Sequence, residues 1–231
     1  MKKIKQLILL NGGYGSRVKS ISKNLPKSLI EFDKKSFLIR QIDLFIRKGI
    51  KEIIICAGYK GKFIIHELKK YKFKNVKIKV IVEPRKLGTG GAILNIFKQL
   101  NQNFFVTYGD SWLDIDYKKI ESFFLRDKKK SVLTIIDKEI VPEHKANILL
   151  KNKKVIFYGK ESTINFTHVD YGLMILKKNI FINIKKKNFD LNLIFNKLIE
   201  QNQVKYFCVK KRFYEIGSIK GIKRFKKIIN K

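Results

Sequence analysis

The feature that most constrains this 231-residue chain is a series of short apolar runs with little polar alternation. They fall at residues 4–10, 50–57, 76–82 and 104–107. A strand with one wet face alternates apolar and polar residues, whereas a strand covered on both faces does not. Between the runs lie segments of helical period. Residues 37–48 carry apolar side chains at 38, 42, 45 and 46, and Gly49 closes them. Residues 91–100 set Ala92, Ile93, Ile96, Phe97 and Leu100 on one face. Strand–helix–strand order at this spacing predicts right-handed crossovers and parallel strands with helices on both sides. The expected fold is therefore α/β: a single Rossmann-like domain with a mainly parallel mixed sheet flanked by helices. The second half is richer in strands, at 132–137, 147–150, 154–158, 171–176 and 204–209. Helices are expected at 190–200 and 218–229, the latter capped by Ser218. Three prolines and no Ser/Gly linker leave no sign of a boundary within residues 1–231.

The unusual residues cluster at one end of this frame. Residues 11–17 (NGGYGSR) follow the first strand, Gly58 the second, residues 83–91 the third and Gly109-Asp110 the fourth. All lie at the carboxyl ends of expected parallel strands, where open α/β sheets bind ligands. Gly12, Gly13 and Gly15 let backbone N–H groups approach phosphate oxygens. The loop lacks the third glycine of a dinucleotide fingerprint and the Gly-Lys-Ser/Thr ending of a P-loop. It ends instead in Arg17, with Lys27 ten residues on, two cations suited to a phosphoryl-transfer transition state. An ordinary tight turn with two surface cations is the competing reading. Asp110 is placed to hold Mg²⁺ against phosphate oxygens, or to cap a turn. Glu83 and the glycines from Gly88 on form a second turn that either meets a base edge-on or begins the next helix. Glu215 reads as a second metal ligand or as a paired surface acid.

The charge is large: 52 Lys+Arg against 19 Asp+Glu, a net +33. Such a surplus points to nucleic acid, an anionic membrane or a phosphorylated substrate. Only seven of the basic residues are arginine, however, and the lysines scatter along the whole chain beside abundant Ile, Asn and Phe. That pattern fits compositional bias better than a dedicated nucleic-acid face. No apolar run approaches the ~20 residues of a membrane span. The apolar stretch at residues 7–10 is shorter than a signal-peptide core of ~7–15 residues. Cys56 and Cys208 are far apart and in no metal-spaced motif, which fits a reduced, cytoplasmic compartment. Cys56 reads as a core residue; His66, His144 and His168 are dispersed and are assigned no catalytic role.

The order GGYGSR, LPKSL, LGTGGA, YGDS, GKES, VDYGL, FYEIGS resembles the sugar-1-phosphate nucleotidyltransferases, or nucleotide-sugar pyrophosphorylases, from about residue 4 onward. The compact length and the LGTGGA turn look most like the heptose-1-phosphate and small mannose-1-phosphate guanylyltransferases. The resemblance implies joining a nucleoside triphosphate to a sugar 1-phosphate, with Mg²⁺ and release of pyrophosphate. GTP is favoured, with CTP or UTP as alternatives. It further implies that Gly12, Gly13, Gly15, Glu83 and Gly88 lie against the nucleotide, and that Arg17 and Lys27 neutralise the triphosphate. Lys160, Gly172 and Asp170 would meet the sugar phosphate, and Asp110 and Glu215 would hold the metal. Residues 1–110 would form the nucleotide half and 111–231 the sugar-phosphate half. Three positions depart from the family pattern. Asn11 stands where a small residue is usual, Gly159 where an acid commonly precedes the lysine, and Glu215 where Asp or Asn is usual. Transfer to a phosphorylated non-sugar acceptor and a polyanion-binding protein are the competing functions; a homo-oligomer is left open.

Overall fold

The computed structural model describes residues 3–13, 15–58, 60–127, 130–159, 161 and 164–229. Its centre is β1 (Gln6–Asn11), buried along its whole length. β1 pairs in parallel with β4 (Glu52–Ala57) on one side and β6 (Asn103–Tyr108) on the other. β5 (Lys77–Val82) adds in parallel to β4. The register is level: Asn11 faces Ala57, Leu10 faces Tyr108, and Ala57 faces Val82. The residues that follow, Gly12, Gly58, Glu83 and Gly109, therefore leave the sheet in one row. This half is the expected parallel arrangement.

The second half supplies the antiparallel pairings. β11 (His168–Lys177) runs antiparallel to β6 and to β8 (Ser131–Asp137). β12 (Val204–Cys208) is parallel to β8. The hairpin β9 (Ile148–Lys151) and β10 (Lys154–Tyr158) closes the far edge. The register of β11 on β8 breaks between Asp170 and Met174, and Gly172 in that break takes φ +98°. A side chain is disfavoured in that conformation, so glycine is required by the backbone itself.

Side chains of β1 alternate between two cores. Leu7 and Leu9 enter a cluster with Leu38, Ile42 and Phe45 of α2 (Phe37–Arg47) and with Tyr117 and Ile120 of α5 (Tyr117–Leu125). Ile8 and Leu10 enter the other, with Ala92 and Ile93 of α4 (Gly88–Asn95) and Leu191 and Phe195 of α6 (Leu191–Glu200). β1, β4 and β6 send buried side chains into both cores because helices cover both faces of them, whereas β5, at the sheet edge with Lys77 and Lys79, is only partly buried. Two helices have no counterpart in the sequence reading: α3 (Gly61–Lys69), rich in lysine around it, and α5, whose N-cap Asp116 accepts from Lys118 and Lys119 N–H. α4 begins at Gly88, earlier than residue 91, and gives way to a 3₁₀ turn at Phe97–Gln99. The early start has a cause: Gly90 and Gly91 N–H donate to the Phe189 carbonyl (2.9 and 3.0 Å), and Thr89 N–H to Asp190 Oδ1 (3.0 Å). Those partners satisfy amides that a helix start otherwise leaves open. Among the described residues no helix is long and apolar enough to cross a membrane.

A third, aromatic cluster lies beside the sheet. Phe225 of α7 (Ile219–Ile229) is fully buried against Phe32, Phe37 and Trp112, at ring centroid distances of 4.8, 4.9 and 5.3 Å. Trp112 belongs to β7 (Ser111–Trp112), which pairs with β13 (Tyr214–Glu215). The cluster thus fixes α7 and β13 beside Asp110. Phe225→Ala is expected to cost about 3–5 kcal/mol, the usual loss for a truncated core Phe, read as a lowered midpoint in urea unfolding with an unchanged slope.

Candidate active site

The row of strand ends builds the site. Gly12 lies against Glu83: a Cβ at Gly12 would sit 3.2 Å from Glu83 Oε1. Gly13 faces the ammonium of Lys27, 3.5 Å from the same construction. Gly15 takes φ +64°, with Lys27 Cβ beneath it, so the loop turns over the lysine stem. Lys27 Nζ reaches across and donates to Asp110 Oδ2 at 2.5 Å. Both side chains are largely shielded, at 16% and 22% exposure, so the pair is screened less than a surface one. Leu10, Gly12, Gly13, Lys27, Glu83, Gly88, Tyr108 and Asp110 line a single cleft.

Asp110 and Glu215 converge. β7 and β13 pair Ser111 with Glu215, and Ile216 N–H donates to the Asp110 carbonyl at 3.0 Å. A Cβ on Gly217 would lie 2.9 Å from Glu215 Oε2, 3.1 Å from Asp110 Oδ2 and 3.6 Å from Arg17 Nη2. Three charged groups therefore surround one small volume that only a glycine leaves open. Glu215 is held in place by Ser218 Oγ, which donates to Oε1 at 2.6 Å, and by Gly217 N–H, which donates to Oε2. Ser218 in turn accepts from Gly221 N–H, the capping role expected of it. Two carboxylates with room between them and water access suit a hard, oxygen-seeking cation such as Mg²⁺. Among the described residues no group of three or more metal-ligating acids, histidines or cysteines forms, so such an ion would rest on this pair and on phosphate oxygens.

A second pocket adjoins the first and shares Thr89, Tyr108 and Asp190 with it. Its centre is Asp170. Tyr158 OH donates to Asp170 Oδ2 at 2.6 Å, Tyr108 OH to the same oxygen at 3.2 Å, and Gly172 N–H to Oδ1 at 2.9 Å. Burial pushes the Asp170 carboxyl up, and the three donors hold that shift back. Burial and the neighbouring carboxylate push both tyrosine hydroxyls well above their ordinary value, so they stay protonated as donors. Gly159 lines this pocket too. A Cβ there would meet the Phe157 ring at 2.6 Å, so any side chain at position 159 would have to displace that ring; Asp170 and Asp190 are the carboxylates that line the pocket. Lys160 lies outside the described residues.

Three features refine the sequence reading. Asn11 does not face the cleft: its Nδ2 donates to Ser28 Oγ at 2.7 Å, and Gly109 packs on its Oδ1. It ties the first loop to the turn carrying Lys27. The amides of Thr89, Gly90 and Gly91 are spent on residues 189 and 190, so of that turn it is Gly88, at φ +73°, together with Thr89 that borders the cleft. Those glycines answer to close approach by the chain at 187–190: a Cβ on Gly90 would strike the Phe189 ring at 2.3 Å. Tyr108, Tyr158 and Asp190 were not singled out in the sequence; the tyrosines stand in the motifs around YGDS and GKES, where their residue type alone reads as core.

The class is thus an α/β protein of Rossmann-like architecture whose cleft sets cations and carboxylates against glycine loops. The model of the nucleotidyl transferase family matches residues 6–231, and the chain belongs to that family. A D-glycero-alpha-D-manno-heptose 1-phosphate guanylyltransferase of Campylobacter jejuni is 40% identical over 116 residues, 50% of this chain and 52% of that one. A mannose-1-phosphate guanyltransferase of Kluyveromyces lactis is 26% identical over 224 residues, 92% of this chain and 61% of that one. The chain therefore spans between half and two thirds of the length of these curated relatives. HddC from Yersinia pseudotuberculosis, solved in complex with GMP-PN, shares the fold at a TM-score of 0.82 and 26% identity, over 98% of this chain and 100% of that one.

Gly217→Ala is expected to fold, because the three atoms nearest the added methyl are side-chain ends, two carboxylate oxygens and a guanidinium nitrogen. It should force Asp110 and Glu215 apart and weaken Mn²⁺ binding by about tenfold, the scale of a displaced ligand shell, as measured by titration calorimetry.

Proposed function

We propose that this protein transfers a nucleotidyl group from GTP to a sugar 1-phosphate, giving a GDP-sugar and pyrophosphate. The observation that carries the reading is the pairing of Lys27 with Asp110 under the first glycine loop, with Glu215 and Arg17 beside it. A sugar 1-phosphate is mostly dianionic near neutral pH, since the second pKa of a phosphate monoester is about 6. Its oxygen needs no general base. It needs alignment with the α-phosphorus and relief from repulsion between anions. Lys27 and Arg17 supply positive charge where the bridging and leaving oxygens gain negative charge. Mg²⁺ held by Asp110 and Glu215 would add Lewis-acid polarisation of phosphate oxygens. Gly12 and Gly13 let the triphosphate close on the loop. Asp170 in the adjoining pocket, whose carboxylate Gly172 N–H holds, serves the sugar phosphate, and Lys160 is assigned to the same ligand by its place in the sequence motif.

Glu83 supports the choice of GTP. Its carboxylate lies against Gly12 in the same cleft. Guanine presents a ring N–H and an exocyclic amine side by side, two donors for one carboxylate. Uracil presents a single N–H between two carbonyls, which repel it. The named activities of the Campylobacter and Kluyveromyces relatives make a manno-configured heptose or hexose phosphate the acceptor to test first. Residues 1–231 work as one unit, with about 1–110 holding the nucleotide and 111–231 the sugar phosphate. Buried Cys56 and exposed Cys208 are both free thiols, in keeping with the cytoplasm.

The test is pyrophosphate release with Mg²⁺ from each ribonucleoside triphosphate and dTTP against a panel of sugar 1-phosphates. Release that requires both GTP and one sugar phosphate is expected; release with a non-sugar phosphate alone would overturn the acceptor class. Glu83 gives a second prediction. Burial raises its carboxyl above the ordinary value, with Leu87 N–H opposing, so it takes up a proton sooner than a free Glu as pH falls. The KM for GTP should therefore rise on acidification, and Glu83→Gln should flatten that rise while KM for the sugar phosphate keeps its profile.

A further inference from the structure

Gln41 is a polar residue where the helix asks for an apolar one. It lies on the inner face of α2 with Phe37, Leu38, Ile42 and Phe45, and it is completely buried. Its Nε2 donates to the Tyr108 carbonyl at 3.1 Å and to the Ser111 carbonyl at 2.7 Å. Both donors of the amide are therefore spent on the two carbonyls that flank Gly109 and Asp110. Its Oε1 is buried and has no hydrogen-bond partner among the described residues. Gln6, also fully buried, is a useful contrast. Its Nε2 donates to Glu52 and to the Gln99 carbonyl, and its Oε1 accepts from Asn101 N–H. An unpartnered buried acceptor is destabilising, and leucine at position 41 would remove it. The glutamine is thus poorly explained by packing and well explained by what its amide grips.

The gripped turn has few other supports. Gly109 N–H donates to the Leu10 carbonyl at 2.8 Å, and the Asp110 carbonyl accepts from Ile216 N–H. Among the described residues, Gln41 is the one side chain that holds the carbonyls on either side. We infer that Gln41 is a positioning residue for the metal-binding carboxylate: it fixes the 108–111 turn so that Asp110 stays beside Glu215. The inference rests on the proposed reading of Asp110 and Glu215 as a divalent-cation pair. It concerns a residue that touches neither nucleotide nor sugar and acts only through the backbone of the turn.

Gln41→Leu and Gln41→Met in the full chain test it, with Mn²⁺ as the probe and a non-hydrolysable GTP analogue present, bound ion being followed by loss of the free-Mn²⁺ electron resonance signal. The expected result is a Kd for Mn²⁺ weaker by about tenfold or more, as for other residues that orient a metal ligand, in a protein that is destabilised by its two orphaned carbonyls but still unfolds in one cooperative transition. Turnover at low Mg²⁺ should fall with it and recover as Mg²⁺ is raised, at an unchanged KM for the sugar phosphate. Equal Mn²⁺ affinity in a well-folded variant would overturn the inference. So would loss of the cooperative folding transition in both variants, which would make residue 41 a packing residue of α2. Wild-type protein that binds no Mn²⁺ with the analogue would overturn instead the metal role of Asp110 and Glu215, and the inference with it.

Discussion

The polar groups of the cleft are arranged around the level register of β1 with its two parallel neighbours. A strand buried on both faces has no room for charge along its length, so charge appears only where it ends. Because β1, β4, β5 and β6 end together, their following residues meet at one rim. A slip of one residue in β1 would exchange its two core faces and also break the row of glycines. The same constraint that builds the core thus places the cleft.

The site then depends on pairing charge with charge under partial shielding. Lys27 on Asp110 neutralises a carboxylate that stands beside another one, and Arg17 sits at the open side of the same cradle. Glu215 is restrained by its own loop at the start of α7, and that helix is anchored by the aromatic cluster around Phe225. The second pocket uses a different solution: a half-buried carboxylate, Asp170, surrounded by neutral donors rather than cations. A ligand whose phosphate end meets lysine and arginine and whose hydroxyl end meets Asp170 would find complementary chemistry at each.

Much of this was legible in the amino-acid sequence because it rests on strong local signals. Apolar runs without alternation mark strands covered on both sides, and glycines after them mark loops that something must approach. Asp110 and Glu215 stand apart in sequence, yet the structure brings both to Gly217. What was not legible depends on tertiary contact. The turn from Gly88 to Gly91 read either as a contact to a base or as the start of a helix; the chain at 187–190 takes up the amides of Thr89, Gly90 and Gly91, which begin the helix, and leaves Gly88 on the cleft. Asn11 stood out only as a departure from the family pattern, and its use, an amide turned toward Ser28, depends on a residue 17 positions away. α3 and α5 were hidden because lysine-rich solvent faces blur the helical period, and the short pairs β7–β13 and Glu31–Phe32 with Lys35–Ser36 are too brief to carry one.

The contact between α4 and α6 has one more consequence. Asp190, ahead of α6, accepts from Thr89 N–H, while Thr89 Oγ1 accepts from Leu191 N–H at 2.8 Å, so each helix finishes the start of the other. Thr89 and Asp190 also form the partition shared by the two pockets. The two recognition surfaces are therefore one joinery. A lineage that re-aims α6 to reshape the second pocket also tilts the turn that borders the first, so the two pockets change shape as a linked trait.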